Sequence, residues 1–419
     1  MTRVLHLSTY GANSGAGVAA LRLLEAERSY GLGLEAELLL MAPNSETLAG
    51  VYALGNDRRL YRAWQCKLWS ERAFVALLNG FNREQTFKTS LGRLGISMRT
   101  LRPYLAKVDL IHLHWTQHAF LSLRTIEELC KLGLPVVITL HDYWWAQGIE
   151  QMETKPGELS VSLRRLDRRV RQRKAELMAH YPIHWVTVSS SLANEVLRSP
   201  IVPRLGISTI GNVLSAQYYQ QAQCQGSRTT NEQAPYQILF VATRVDDPIK
   251  GWSYLTAAMR QLAELAGEQT AQMQLTLVGA LSDCTLLKQI PIPVKHLGSI
   301  SDAERLRSLY AESSVLISTS ERESFGQTLL ESLACGTPVI ARDSGGPADI
   351  VIDGVNGALV AHDKPQEMAT ALWQHFTEAT AYQPEACRAS ALRFAPTAIA
   401  QQYAQLYAQL IDDTQRANS

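Results

Sequence analysis

The sequence predicts an α/β fold of two domains, each a parallel sheet with helices on both faces. Short apolar runs that read as buried strands alternate with helical stretches along the whole chain. The 419 residues exceed one hydrophobic core and suggest two domains of roughly 200 residues each. Between two series of strands lies a Gln-rich, apolar-poor segment, 215–235, which includes Asn231-Glu232-Gln233-Ala234-Pro235 and reads as a linker.

The first series is expected near 3–8, 36–41, 109–113, 135–140, 184–189 and 207–210, in an N-terminal domain of residues 1–214. The second is expected near 237–242, 274–278, 294–297, 314–318 and 338–341, in a domain of residues 236–396. A final helix within 397–419 has Ile399, Tyr403, Leu406, Tyr407 and Leu410 on one face.

Charge is balanced overall, with 40 Lys and Arg against 39 Asp and Glu, but not by halves. Residues 1–210 carry 26 basic and 18 acidic side chains, and residues 211–419 carry 14 and 21. A basic half suits phosphates or lipid headgroups, and the asymmetry would equally draw the two domains together. No nucleic-acid partner is expected. Cys66, Cys130, Cys224, Cys284, Cys335 and Cys387 lie far apart, without a Cys-x-x-Cys pair or a secretory leader. They read as reduced core thiols of a cytoplasmic protein. No apolar stretch reaches the length of a membrane span, so any membrane contact is expected to be peripheral.

Residues 323–331, Glu-Ser-Phe-Gly-Gln-Thr-Leu-Leu-Glu, are the most informative segment. The preceding 314–320 reads as a buried strand, and Ser324 with Gln327 reads as a capping box opening a helix that ends at Gly336. Glu323 would then stand at the carboxyl end of a strand, where open α/β sheets bind ligands, beside the free N–H groups of Phe325, Gly326 and Gln327. Glu331 would lie two turns inside the helix. From Arg244 the chain reads Arg-Val-Asp-Asp-Pro-Ile-Lys-Gly, directly after the apolar run 238–242. Arg244 and Lys250 thus also belong to a strand's carboxyl end.

Here the chain resembles the GT-B glycosyltransferases, in particular the retaining family 4 type, whose signature pairs an Arg and a Lys with this double-Glu element. Ile111-His112-Leu113-His114-Trp115, with Leu140-His141-Asp142, is similar to a subset that builds bacterial surface polysaccharides such as colanic acid, O-antigen and capsule. The resemblance covers nearly the whole chain, densest over 238–360 and weakest over 45–105. It implies two Rossmann-like domains facing a cleft, the first binding the acceptor and the second the nucleotide sugar, with the final helix crossing back to the first. It further implies transfer of a hexose from a UDP- or GDP-linked donor to a growing glycan or lipid-linked oligosaccharide, with retention at the anomeric carbon.

Residue by residue, the resemblance assigns Glu323 to the donor-sugar hydroxyls, Glu331 to the ribose, and Arg244 and Lys250 to the diphosphate. It assigns His141 to the sugar near the reacting carbon, Ser324, Phe325, Gly326 and Gln327 to the donor, and Leu297, in the 294–298 run, to the base. The leaving phosphate oxygen is expected to take the acceptor's proton on the same face, with Asp142 the one carboxylate that could act otherwise. Members of the subset often have a cysteine-bearing insertion after the His-Asp pair, whereas 146–160 has no Cys, which leaves the acceptor open.

Gly15, Ala16 and Gly17 belong to a Gly15-x-Gly17-x-x-Ala20 run that formally matches a dinucleotide fingerprint. The second strand ends in Leu38-Leu39-Leu40-Met41-Ala42-Pro43-Asn44 without the acid such a site needs. The glycines still bring backbone and a helix N-terminus close to a ligand, which the resemblance takes as donor phosphate or acceptor. His112 and His114 stand on one strand, and at least one reads as a packing residue. The chain has no Asp-x-Asp, and its His and Cys show no ligand spacing, so neither a metal nor a cofactor beyond the sugar nucleotide is expected. Gly345-Gly346-Pro347 reads as a tight turn or as a wall of the nucleotide pocket.

Arg164, Arg165, Arg168, Arg169, Arg171, Arg173 and Lys174 share a helical stretch with an apolar stripe of Leu163, Leu166, Val170 and Leu177. This reads as a solvated surface helix, or as a contact with the cytoplasmic face of the inner membrane. The segment 60–104, with Trp64, Lys67, Trp69, Arg72 and Phe74, is a second membrane-facing candidate. Two other readings stay open: another GT-B sugar-nucleotide enzyme such as an epimerase or an oxidoreductase on the glycine loop, and a silent partner subunit of a polysaccharide assembly complex.

Overall fold

The computed structural model describes residues 1–30, 32–45, 48–151, 159–202, 206–223, 236–378 and 382–418. The chain divides into two compact units, Met1–Val213 with Pro396–Ser419, and Leu214–Ala395.

Unit 1 holds a parallel sheet of β1 (Thr2–Ser8), β2 (Leu34–Leu40), β3 (Val51–Ala53), β4 (Leu110–Leu113), β5 (Val136–Leu140), β6 (Ile183–Thr187) and β7 (Ile207–Thr209). Their order is β3-β2-β1-β4-β5-β6-β7. Its helices are α1 (Gly15–Ser29), α2 (Arg58–Leu78), α3 (Arg83–Phe87), α4 (Met98–Leu105), α5 (Leu123–Cys130), α6 (Val161–His180) and α7 (Ser190–Arg198). β4 and β5 are buried at every position, as apolar strands covered on both faces must be.

Unit 2 repeats the plan. Helix α8 (Ala216–Gln223) precedes β8 (Tyr236–Arg244), α9 (Trp252–Ala266), β9 (Met273–Ala280) and β10 (Val294–His296). Then come α10 (Ala303–Glu312), β11 (Val315–Ser318), α11 (Gln327–Ala334), β12 (Val339–Arg342), α12 (Pro347–Ile350), β13 (Gly357–Val360), α13 (Pro365–Thr377) and α14 (Pro384–Ala391). The parallel order is β10-β9-β8-β11-β12-β13. One apolar core fills the face between the sheet and helices α9 and α13, with Leu255, Met259, Leu262, Leu275, Ile340 and Met368 fully buried.

The last helix, α15 (Pro396–Asn418), belongs to unit 1 and packs on α1. Tyr403 and Tyr407, on its apolar face, are buried there. Residues 216–223, expected as linker, are instead helix α8, whose buried Tyr218 and Ala222 pack it within unit 2 on α11 and α14. The remainder of that segment, 224–235, lies outside the described residues, as does Cys224. Cys335 and Cys387 are buried, but Cys66 and Cys284 are exposed, so they are not core thiols. No helix among the described residues is long and apolar enough to cross a membrane.

Helix α6 corrects one expectation and supplies a brace. Its stripe Leu163, Leu166, Val170 and Leu177 is buried, but so is Lys174, expected among the solvated cations. The Lys174 ammonium donates to the carbonyls of Trp144, of Gln147 at 3.1 Å and of Gly148 at 2.6 Å, and lies 3.5 Å from the Trp144 ring centre. Two turns earlier, Asp167 accepts from Ile149 N at 2.9 Å and pairs with Arg171. Two positions on one face of α6, two turns apart, therefore hold the loop that follows β5. All three ammonium protons are used, which offsets part of the desolvation cost. Lys174→Met would take a donor from three carbonyls, of which Trp144 O keeps Gln147 N–H at 3.3 Å, at a cost of about 3–5 kcal/mol. Urea unfolding should show that loss, and a change below about 1 kcal/mol would mean that the carbonyls find water instead.

Candidate functional site

In each unit the strand order reverses about one pair of neighbours, β1 and β4 in unit 1 and β8 and β11 in unit 2. Loops leaving two such strands run in opposite directions and open a crevice at their carboxyl ends.

In unit 2 the two loops are fastened together. Glu321 N donates to Ile249 O at 2.8 Å, and Thr319 Oγ1 donates to Lys250 O at 2.7 Å. Gly251 lies against them with φ +71, where a Cβ would sit 2.1 Å from Thr319 O. Across this seam the Lys250 ammonium meets Glu323 Oε2 at 2.9 Å, the two side chains being 30% and 25% exposed. Both remain within reach of solvent and ligand. Burial pulls the Lys250 pKa down, but the charge and hydrogen bond of Glu323, with Asp247, outweigh it and leave the pKa raised.

Glu323 is also held by its backbone. Its N–H donates to Ser344 O at 3.0 Å, and its carbonyl accepts from Gly346 N at 2.7 Å, continuing the β11–β12 pairing past the strand ends. A Cβ at Gly346 would lie 2.5 Å from Phe325 backbone, so Gly345-Gly346-Pro347 is the turn that lets one loop lie flat on the other. The expected capping box does not form. The N-cap of α11 is Gly326, in the left-handed region at φ 109, without a side-chain cap, and Gln327 is the first helical residue. With Gly326 in that position, Ser324 falls outside the helix start. Phe325 is buried edge-on against Phe394.

Arg244 ends β8 at the same edge of the sheet, half-exposed, with Nε 3.2 Å from Asp246 Oδ1. Glu331 is 5% exposed and accepts from the Tyr310 hydroxyl at 3.2 Å. The Tyr310 ring in turn meets Tyr218 of α8. Leu297 follows β10, its N–H donating to Leu277 O at 3.0 Å. Tyr310 and Thr319 carried no signal in the sequence, because each acts through a partner distant in the chain.

In unit 1, Gly15, Ala16 and Gly17 form the first turn of α1, with Ser14 as N-cap accepting from Gly17 N at 3.0 Å. A Cβ on Gly17 would lie 2.1 Å from Gly11 O and 2.3 Å from Tyr10 O, so this glycine serves the chain's own close approach. Beside it, Tyr10 stacks on Trp115 and shares a 3.0 Å hydrogen bond with His118 Nδ1. His118 and Ala119 are both left-handed, at φ 56 and 59.

His141 and Asp142 follow β5. Asp142 accepts from Trp115 Nε1 at 2.6 Å, from Trp144 N at 3.0 Å and from Gln117 at 3.2 Å, so both oxygens brace the loop. Burial raises its pKa to about 6 against those bonds. Burial lowers His141 to about 4, and takes His112 and His114 well below their ordinary range. His6, His112 and His114 are brought together with ring nitrogens within 4.8 Å of one another, a grouping their sequence spacing conceals. All six nitrogens have protein partners: Glu27, Tyr407, Thr139, His141 and one another.

Over residues 235–378 the chain matches the family model described as Glycosyl transferases group 1. D-inositol 3-phosphate glycosyltransferase 2 of Catenulispora acidiphila is 32% identical over 135 residues, 30% of this chain and 32% of that protein. The chain thus spans about a third of the length of that curated relative. Anabaena Alr3699/HepE, solved in complex with UDP, has a TM-score of 0.61 at 19% identity, covering 98% of this chain and all of that one. Sucrose-phosphate synthase from Thermosynechococcus elongatus has a TM-score of 0.67 at 20% identity, with coverages of 99% and 100%. The fold is GT-B. In GT-B terms, the zipped loops carrying Lys250 and Glu323 lie inside the segment that matches the family model.

Two outcomes follow from this geometry. Gly251→Ala forces a left-handed alanine against Thr319 O, and should destabilise unit 2 by about 1–3 kcal/mol and part Lys250 from Glu323. Denaturant unfolding checks the first effect. The buried neutral histidines set an acid limit: their pKa values are lowered, so their stabilising contribution is present above pH 6.5 and is lost as pH falls towards 4. Each contributes a slope of up to about 1.4 kcal/mol per pH unit. Asp142, raised to about 6, acts oppositely below that pH. Melting temperature should therefore fall as pH drops from 6.5 to 6, before Asp142 offsets it, and a flat profile would show those rings already hydrated.

Proposed function

We propose that this protein is a retaining, metal-independent glycosyltransferase that moves a hexose from a nucleotide sugar to a growing glycan or lipid-linked acceptor. The observation that carries this reading is the Lys250–Glu323 pair, set at the β8/β11 reversal beside the N-terminus of α11. An ammonium and a helix N-terminus suit a diphosphate, and a carboxylate next to them suits sugar hydroxyls. Binding would separate the ion pair, with phosphate replacing Glu323 at Lys250 and hydroxyls replacing Lys250 at Glu323. The loss of one contact is thereby matched by gains on both sides.

Arg244 would supply the second cation for the diphosphate and Glu331 would take the ribose, with Leu297 alongside the base. Such preorganised positive groups stabilise a departing diphosphate as its charge develops, and removing one typically costs on the order of 100-fold in rate. His141 of unit 1 is the group proposed for the sugar. UDP is the first nucleotide to test, since the HepE structure holds it. Work on the cytoplasmic face of a bacterial membrane, in surface-polysaccharide synthesis, is the setting the sequence resemblance favours.

Calorimetry of UDP, GDP and ADP without added metal is the test. One nucleotide should bind, and Lys250→Ala should weaken it at least about tenfold, equivalent to 1.4 kcal/mol. Binding of none of the three would remove the reading. Equal binding by the wild type and Lys250→Ala would move the diphosphate elsewhere.

A further inference from the structure

The buried polar cluster of unit 1 has a direction. Glu27, on α1, is 1% exposed, and His6, His112 and His114 are between 0% and 3%. His6 Nε2 lies 2.8 Å from Glu27 Oε2, His114 Nε2 lies 3.0 Å from His6 Nδ1, and His141 Nε2 lies 3.3 Å from His114 Nδ1. A second arm starts at the other carboxylate oxygen, where the Tyr407 hydroxyl donates to Glu27 Oε1 at 2.9 Å. His112 Nδ1 lies 2.7 Å from that hydroxyl, Thr139 Oγ1 lies 2.7 Å from His112 Nε2, and Tyr403 Oη lies 3.1 Å from Thr139 Oγ1.

A carboxylate only accepts, and a neutral imidazole offers one donor and one acceptor nitrogen. With Glu27 ionised and His6 a neutral imidazole, counting outward from Glu27 fixes every proton. His6 must carry its proton on Nε2, which leaves Nδ1 to accept from His114 Nε2–H. His114 Nδ1 then accepts from His141 Nε2–H. In the other arm Tyr407 donates to Glu27 and accepts from His112 Nδ1–H, His112 Nε2 accepts from Thr139, and Thr139 accepts from Tyr403. Seven groups from β1, β4, β5, α15 and the segments after β4 and β5 satisfy one another without conflict, and all of them point to one carboxylate. Burial disfavours imidazolium at His112, His114 and His141, in keeping with the neutral rings this count assigns them.

We propose that Glu27, His6 and His114 are positioning residues that hold His141 in the Nε2–H tautomer, keeping its Nδ1 as an acceptor for a ligand hydroxyl. The proposal deepens the role given to His141 above and rests on that reading for its functional consequence. A nitrogen kept as an acceptor rewards a hydroxyl donor and disfavours a phosphate oxygen, which has no proton to give. His141 would thus distinguish the sugar or acceptor hydroxyl from the diphosphate, and the discrimination would be set three residues away.

The test is the tautomer itself, read from imidazole nitrogen shifts of the full chain with ¹⁵N-labelled histidine and assigned with single variants such as His141→Gln. The wild type should show His6, His114 and His141 as Nε2–H and His112 as the less common Nδ1–H. Any one of the first three found as Nδ1–H overturns the wire, and this measurement needs no buried variant to fold. In His114→Phe, His141 should leave the single tautomer for an exchanging mixture, whereas an unchanged His141 spectrum would also overturn it. With donor and acceptor supplied, Glu27→Gln should lower kcat at least tenfold while the donor KM changes less than twofold. A chain that transfers no sugar but shows the expected tautomers loses the proposed function and keeps the wire. A chain that transfers sugar with Glu27→Gln as fast as wild type loses the wire's functional role and keeps the proposed function.

Discussion

A reversal of strand order between two neighbouring parallel strands opens a crevice at their carboxyl ends, and both units of this protein are organised around such a reversal. At the β8/β11 reversal the Arg244–Gly251 and Thr319–Gln327 loops are bonded to each other, and at the β1/β4 reversal Thr9, in the segment after Ser8, bonds the carbonyls of Trp115 and Gln117, in the segment after Leu113, in the same way. Arg244, Lys250, Glu323, Tyr10 and His114 all lie on these four segments. The glycines follow from the same constraint. Gly17, Gly251 and Gly346 stand where one backbone must come closer to another than a methyl group allows.

The two gaps are furnished differently. In unit 2, charges meet at the surface: Lys250 and Glu323 are each about a quarter exposed, so their mutual attraction is modest and exchangeable for ligand contacts. In unit 1 the polar groups are sunk below the strand ends, where hydrogen bonds are strong and an unmatched group is costly. One arrangement suits exchange with a charged ligand, and the other suits holding a ring in a single state.

The strand-and-helix alternation and the Arg244, Lys250, Glu323 and Glu331 set were legible because each is a local pattern with a fixed spacing. Strands β3 and β13 escaped notice because three or four residues, one of them Gly357, carry too little periodicity. The Ser324–Gln327 pairing failed for a reason invisible in the letters, since Gly326 adopts a conformation that moves the helix start by two residues. Lys174, flanked by arginines, looked like one more solvated cation; only the carbonyls of 144–148 reveal it as buried. The histidine network could not be read at all. Its members span positions 6 to 407, and their chemistry exists only in the register β1–β4 and the packing of α1 on α15.

That packing bears on the order in which the chain can mature. Unit 2 is continuous, Leu214–Ala395, whereas unit 1 is completed by residues made after all of unit 2. A chain emerging from the ribosome can therefore finish its second unit before its first. Until α15 is delivered, Glu27 and His112 lack the Tyr407 hydroxyl, and an apolar face of α1 lacks its cover. The nascent first unit would be the species most in need of protection from aggregation. Loss of the last two dozen residues would leave unit 1 unfinished while sparing unit 2.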